Sequence, residues 1–478
     1  MLKNDARLSL IRSWLTRDLD WRVGRISVAS ADASFRRYFR VSRGDVDPGA
    51  WAPKADSLIV MDAPPGKEDI APYLKVTALL EQAGVHVPHV YEADARRGFV
   101  VMEDLGDTQY LSLLRSGRGV DKLYGDALAA LANIQVRGLR AAQMLDPYDR
   151  VPLERELNLM PEWFLGKHLQ LELTPEERAL LTVTFEFLIN EAMLQPQVFV
   201  HRDFHSRNLM VLPQAAMEKG GPGVIDFQDA LRGPIGYDLV SLLKDCYISW
   251  SRERVERWVR GFRRVLGNLG ANVGDSEYQF IRWFDLIGVQ RHIKVLGIFS
   301  RLWHRDGKFG YLADLKLTLD YVIDTCRRYQ ELVEFGRWLE WRVAPELPVA
   351  NARQTEKPKR LPVKRKVANA VKPKAKKPKP KTTRPKKTKP KRTKPKETKK
   401  GKRSVARRKP PKRGLTRRGP SKRKVAKRKV ANRRVAKGRA IRKVAKKRRA
   451  TVEAPRRQRA RQRQTTRLKS RRTRRSRR

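Results

Sequence analysis

The chain has 478 residues and a formal net charge of +57, from 107 Lys and Arg against 50 Asp and Glu. The charge is confined to one end: residues 351–478 hold 61 basic side chains and three acids, Glu356, Glu397 and Glu453, whereas residues 1–350 carry 46 basic and 47 acidic ones. The first segment is therefore of ordinary composition and long enough to enclose a hydrophobic core, while the second has too little apolar mass to build one. Two cysteines, Cys246 and Cys326, lie in amphipathic or apolar stretches, which argues against a disulfide framework and for a reducing compartment. No run approaches ~18 apolar residues and no apolar leader follows Met1, so a cytoplasmic protein without a membrane span is expected.

Residues 26–28, 38–41 and 58–61 are rich in β-formers, which predicts three antiparallel strands, with a turn-rich stretch over 44–53 between the last two. A helix is expected over about 70–83, stopped by Gly84, followed by short strands over 89–92 and 98–103. From Thr108 the periodicity becomes helical, as at Leu123, Leu128, Leu131 and Ile134, and Thr174-Pro175-Glu176-Glu177 reads as a capping box opening a helix to about Leu194. Val198-Phe199-Val200 forms a short strand, and 208–212 with 224–227 can form a hairpin across Gly220-Gly221. Helices continue to about Trp341, and Pro345 and Pro348 mark a linker. The expected class is α+β: a small antiparallel β-rich lobe over 1–104, a mainly helical lobe over 105–344 and a disordered tail over 345–478.

Residues 201–208 read His-Arg-Asp-Phe-His-Ser-Arg-Asn, and eighteen residues beyond Asn208 stands Asp226, within Ile225-Asp226-Phe227. A carboxylate at Asp203 can accept the proton of an attacking hydroxyl, while the amide of Asn208 and the carboxylate of Asp226 can share magnesium ions. This is the layout of a phosphoryl-transfer site in a two-lobed, protein-kinase-like fold, with ATP and Mg2+ as cofactors. The competing reading, a degenerate kinase or a structural polar loop, is weakened by the presence of all three residues. His205 either offsets charge on the transferring group or is a loop histidine bonded to backbone. Arg207 either touches substrate or pairs with a loop carboxylate.

Residues 31–37, Ala-Asp-Ala-Ser-Phe-Arg-Arg, stand where backbone N–H groups would approach phosphates, yet no glycine is present. Ser34, Arg36 and Arg37 are the candidates for nucleotide contact, with an ordinary hairpin as the alternative. The third strand runs into Met61-Asp62-Ala63-Pro64-Pro65 where a Val-Ala-Ile-Lys strand would present its lysine, so the phosphate contact must come from elsewhere, with Arg36, Arg37 and Arg40 as candidates. Residues 99–106 run from a strand into a turn and suit an interlobe hinge, with Met102, Glu103 and Leu105 facing adenine; a buried strand with a polar exit is the alternative. Asp238 opens a helix and is placed to cap it or to brace the catalytic loop, and Asp229 is a candidate for metal or acceptor. Residues 282–308 combine six basic side chains and two acids with aromatic residues, which suits a neutral or anionic sugar better than a cationic acceptor. Arg291, His292 and Lys294 are the substrate-binding candidates there.

Five stretches together carry a resemblance: 32–38 (Asp-Ala-Ser-Phe-Arg-Arg-Tyr), 61–65, 201–208, 225–229 (Ile-Asp-Phe-Gln-Asp) and 290–297 (Gln-Arg-His-Ile-Lys-Val-Leu-Gly). They resemble the aminoglycoside phosphotransferase-like kinase superfamily, and more closely the anomeric kinases of bacterial peptidoglycan recycling that act on N-acetylmuramate and N-acetylglucosamine. The match spans most of residues 1–340. It implies use of ATP and magnesium, an amino-sugar substrate phosphorylated at its C1 hydroxyl, and supply of a salvage route toward UDP-activated cell-wall sugar. The missing strand lysine departs from the wider superfamily, whereas the Met-Asp-Ala-Pro-Pro form looks usual for this subgroup. An aminoglycoside- or choline-type acceptor would keep the fold and change the substrate.

The tail is of low complexity, with Lys-Pro steps over 357–396 and Val-Ala pairs flanked by basic residues at Val425, Val430, Val435 and Val444. It looks like the arms of histone H1-like bacterial proteins. Such charge density is expected to bind nucleic acid or another polyanion by counterion release, with little sequence preference, and to place the protein near the nucleoid. An acidic membrane surface, ribosomal RNA and an idle solvated tail are the alternatives, and a polyanion-binding protein anchored on a degenerate kinase domain is the competing class.

Overall fold

The computed structural model describes residues 5–31, 35–43, 55–212 and 221–355. The chain opens with a helix the sequence reading did not foresee, α1 (Ala6–Ser13), which continues through a π-helical turn over Trp14–Asp18. Asp5 caps it, accepting the Leu8 N–H at 3.1 Å. Ile11, Trp14 and Leu15 are its buried anchors, too few to give a strong helical period.

Five strands follow: β1 (Val23–Ala31), β2 (Arg37–Arg43), β3 (Ser57–Asp62), β4 (Val90–Asp94) and β5 (Phe99–Glu103), with α2 (Ala71–Gln82) between β3 and β4. They form one antiparallel sheet in the order β1-β2-β3-β5-β4. Successive side chains point to opposite faces, and the two central strands use both. Leu58, Val60, Phe99 and Val101 pack with Ile11, Trp14 and Leu15 on one side, whereas Met61, Val100 and Met102 join Tyr73, Val76 and Leu80 of α2 on the other. Gly98 turns β4 into β5 with φ +71°, and a side chain there would run into the Ala63 carbonyl at 1.8 Å.

The second lobe is mainly helical, formed by α3 (Tyr110–Arg115), α4 (Val120–Val136), α5 (Arg150–Leu157), a π-helical segment over Met160–Leu169, and α6 (Pro175–Leu194). The expected capping box opens α6, with Thr174 accepting the Glu177 N–H at 3.2 Å and Glu177 accepting that of Thr174 at 2.8 Å. Next come β6 (Gln197–Val200), the hairpin strands β7 (Leu209–Met210) and β8 (Gly223–Val224), and β9 (Leu231–Pro234), which pairs back onto β6. Then α7 (Tyr237–Leu243), α8 (Arg252–Asn268), α9 (Glu277–His304), α10 (Leu315–Cys326) and α11 (Val333–Trp338) complete the packing.

Helix α9 is the spine of this lobe and is buried almost throughout 283–297. Gly297 lets it approach the chain at Leu159, whose backbone would lie 2.4 Å from an added Cβ. Past Pro345, where a linker was expected, the chain forms a further helix, α12 (Glu346–Thr355), with Leu347 and Ala350 buried. Pro348 sits in its first turn, where its missing N–H has no intrahelical partner to lose. The tail beyond 355 lies outside the described residues, as does the hairpin tip over 213–220. Both cysteines are free and buried, and among the described residues no helix is long and apolar enough to cross a membrane.

Candidate active site

Strand β6 delivers the chain into the 201–208 loop, which is held from beneath by two buried acids. Asp238, at the start of α7, accepts the His201 N–H at 2.7 Å and the Arg202 N–H at 3.0 Å. Asp245 accepts the Ser206 N–H at 3.0 Å and its hydroxyl at 2.5 Å. These bonds hold Arg202 at φ +79°, a left-handed conformation that costs a non-glycine residue on the order of 1–3 kcal/mol. The Arg202 guanidinium is drawn inward to Glu156 and lies over the Tyr148 ring at 5.6 Å. The Asp203 N–H donates to Nδ1 of His201 at 3.2 Å. Burial lowers the His201 pKa to about 4, so this ring is neutral and serves as an acceptor.

The predicted base and metal residues come together. Asn208 donates from Nδ2 to the Asp203 carbonyl at 3.1 Å and to Oδ2 of Asp226 at 3.1 Å, while Gln228 donates to the other Asp226 oxygen at 2.9 Å. Asp226 also has a positive φ, +65°. Asp203, Asn208 and Asp226 line one cavity of about 850 Å³ between the sheet and the helical lobe. Burial works against charge on Asp203, but Lys294, His205, Arg202 and Arg291 outweigh it and hold the carboxyl below its ordinary range. It is therefore ionised at neutral pH, as a proton acceptor must be. His205 also lines the cavity; burial lowers its pKa, and its Nδ1 has no hydrogen-bond partner among the described residues.

The nucleotide candidates divide. Met102, Glu103 and Leu105 line the cavity, and Met102 and Leu105 with Ile59, Met210 and Ile225 make up an apolar slot in it, Leu105 packing with Met210 and Ile225. Arg36 lines it too, 3.7 Å from Glu68. Arg40 lines it while binding Asp104 at 2.5 Å and Asp107 at 2.8 Å, so it ties β2 to the chain just past β5. Arg37 is corrected: it is not a cavity residue, because its guanidinium turns to the buried Asp62, at 2.5 Å, and to Asp5. Asp62 is fully buried and also takes Arg7. It anchors α1 and β2 on the sheet, which explains an acid where the phosphate-binding lysine was expected. Ser34 lies outside the described residues.

The substrate candidates divide likewise. Arg207, Asp229, Arg291 and Lys294 line the cavity. The Arg207 guanidinium stacks over Tyr247 at 4.4 Å. Lys294 donates to the Tyr237 hydroxyl at 2.9 Å and lies 3.2 Å from Glu156. Among the described residues Arg291 donates to the Cys246 thiol alone, at 3.7 Å. His292 is a correction: one step along a helix turns the side chain by ~100°, away from the stripe of 291 and 294. It is buried, donates from Nε2 to the Lys244 carbonyl at 2.9 Å and stacks on Tyr321 at 4.9 Å. Asp245, Glu156, Tyr247 and Tyr311 were missed, since each gains its place through long-range packing and none stands in a motif. Arg282, counted with the basic stretch, pairs instead with Glu191 and Glu331, each at 2.9 Å.

An ionised carboxylate, an amide and a second acid at one mouth, with an apolar slot beside them and a five-stranded sheet above, are the arrangement of a nucleotide-dependent phosphotransferase of protein-kinase-like fold. Residues 25–284 match the phosphotransferase enzyme family, and the chain belongs to it. Among curated relatives, the N-acetylmuramate/N-acetylglucosamine kinase of Pseudomonas aeruginosa is 41% identical over 348 residues, covering 71% of this chain and 97% of that protein. The enzyme of the same name from Neisseria meningitidis serogroup B is 42% identical over 323 residues, covering 67% and 92%. Solved structures with a similar fold include an ADP-bound aminoglycoside phosphotransferase, at 14% identity and TM-score 0.43 over 66% of this chain and 98% of that one. The choline kinase LicA of Streptococcus pneumoniae gives 12% and 0.46 over 67% and 100%.

Proposed function

We propose that the protein is an ATP-dependent sugar kinase that phosphorylates the anomeric hydroxyl of N-acetylmuramate and N-acetylglucosamine, feeding cell-wall sugar salvage. The observation that carries this reading is the convergence of Asp203, Asn208 and Asp226 on one cavity, in a chain 41% identical to kinases of that name. Asp203 takes the proton of the C1 hydroxyl as the oxygen attacks the terminal phosphorus of ATP. Its low pKa keeps it ionised and able to take that proton, and the Asp238 and Asp245 contacts hold the loop at Arg202 and Ser206 on either side of it.

Among the described residues no cluster of three or more His, Cys, Asp or Glu is placed to hold a metal, but magnesium does not need one. It is bound by one or two protein oxygens completed by substrate phosphates and water, and the Asp226 carboxylate with the neighbouring Asn208 amide, whose Nδ2 donates to it at 3.1 Å, offers that number of oxygens. Bound there, Mg2+ would neutralise charge building on the phosphates. The cavity wall on the side of the helical lobe carries six cations, Arg207, Arg291, Lys294, Arg301, Arg305 and Lys308, which outnumber the acids Asp229, Asp245 and Asp306 there. This favours a neutral or anionic sugar over an aminoglycoside or choline. The test is turnover of a substrate panel by the full-length protein with ATP and magnesium, reading sugar 1-phosphate by NMR. Activity on a cationic alcohol alone would refute the assignment.

The tail of 61 basic residues against three acids supports a second role, binding nucleic acid or another polyanion. A gel-shift titration over a salt series should show binding by the full-length protein that falls steeply with salt. Equal binding after truncation behind Thr355 would refute that role.

A further inference from the structure

The two sugars of the proposed function differ chemically in one group: N-acetylmuramate carries a lactyl ether with a carboxylate, and N-acetylglucosamine carries a free hydroxyl in its place. A kinase that accepts both needs a cation able to meet that carboxylate without being required by the neutral sugar. Helix α9 presents the cavity with Arg291, Lys294, Val295, Ile298, Arg301 and Leu302 along its length, and Arg305 follows at its C-cap. The end at Arg291 and Lys294 adjoins Asp203, which feels both charges. The other end, two helical turns on and so ~10 Å along the axis, holds Arg301.

Arg291 and Arg301 are both cavity cations of α9 without an ion pair among the described residues, but Arg291 adjoins Asp203 whereas Arg301 stands at the far end of the helix. Arg305 is engaged by Asp306, at 2.8 and 3.0 Å. Lys294 is satisfied by Glu156 and Tyr237, and Arg207 rests on Tyr247. Arg301 makes no ion pair among the described residues, and its buried Nε has no hydrogen-bond partner there. Burial and the nearby Arg305 disfavour its charge, against a weaker pull from Asp306 and Glu162. A half-buried guanidinium with an idle N–H at the cavity wall is a receptor for a planar anion, since the fork of N–H groups matches a carboxylate.

We infer that Arg301 binds the lactyl carboxylate of the acidic amino sugar and sets the preference between the two acceptors. The inference rests on the amino-sugar reading above. The experiment measures kcat and KM of full-length wild type, Arg301→Ala and Arg301→Lys for both sugars and for ATP. In the alanine variant, KM for N-acetylmuramate should rise about 10- to 100-fold, the size of one charge-assisted hydrogen bond. KM for N-acetylglucosamine and for ATP, and kcat for both sugars, should stay within about twofold, and lysine should restore part of the loss. Equal losses for the two sugars, or no change for either, would overturn the assignment while leaving the kinase reading intact. A rise confined to KM for ATP would overturn it by giving Arg301 to the nucleotide. Failure of the wild type to use either sugar would remove the parent reading and this one with it.

Discussion

Replacing Asp238 by asparagine tests whether the catalytic loop is held from below. Asp238 is fully buried, and its two oxygens accept the His201 and Arg202 N–H groups at 2.7 and 3.0 Å. Hydrogen bonds to a charged acceptor contribute ~1.5–3 kcal/mol each, enough together to offset the strained φ of +79° at Arg202. An asparagine keeps one acceptor and turns an NH2 against the other N–H, so about 2–3 kcal/mol of support is lost at the residue preceding Asp203. A relaxation that moves a reacting group by ~1 Å can cost on the order of 10²-fold in rate. Initial-rate kinetics of ADP release should therefore show kcat falling about 100-fold, with KM for ATP little changed because the apolar slot is untouched. Burial raises the Asp238 pKa to about 7 despite the two N–H donors. Wild-type kcat should accordingly climb between pH 6 and 8 as the carboxyl ionises, and the variant should lack that limb. A variant within twofold of wild-type kcat would refute the bracing role.

Asp203→Asn should lower kcat by about 10²–10⁴ while nucleotide binding, followed by fluorescence of an ATP analogue, persists; retained turnover would remove Asp203 as the base. Burial holds His168 and His201 at about 4, whereas an unfolded histidine takes its proton near 6.5. Between these values the unfolded chain binds the extra protons. The contribution is therefore full above pH 6.5 and declines as pH falls toward 4, by up to about 3 kcal/mol per residue. Urea midpoints that stay flat from pH 6.5 to 4.5 would contradict this. Gly297→Ala would drive a methyl group to within 2.4 Å of the Leu159 backbone, so α9 must shift. A loss of about 1–3 kcal/mol in denaturant unfolding is expected, and unchanged stability would show that the contact is slack.

The motif residues were legible because their chemistry and spacing are local. Asp203 and Asn208 belong to one turn, and a hairpin brings Asp226 to them. The sheet was equally readable, since 58–61 and 98–103 are apolar over short runs with turn signals between them. Helix α1 was not, because three anchors carry its packing. Nor was α12, whose proline suggests a linker until Leu347 and Ala350 are seen in the core.

By itself the sequence determined the class of chemistry, the two-lobed plan and the segregation of charge into the last 128 residues, since these depend on composition, on period and on short spacings. Only the tertiary structure decided which cations line the cavity. Arg36 and Arg37 are neighbours in sequence, yet one faces the cavity and the other is taken by Asp62 and Asp5. Arg291 and His292 part in the same way across one step of α9. A side chain's role there depends on which acid lies within reach. The acids that settle it, Asp62 for Arg37 and Glu156 for Arg202 and Lys294, are brought by segments tens of residues away, so their placement is fixed by packing.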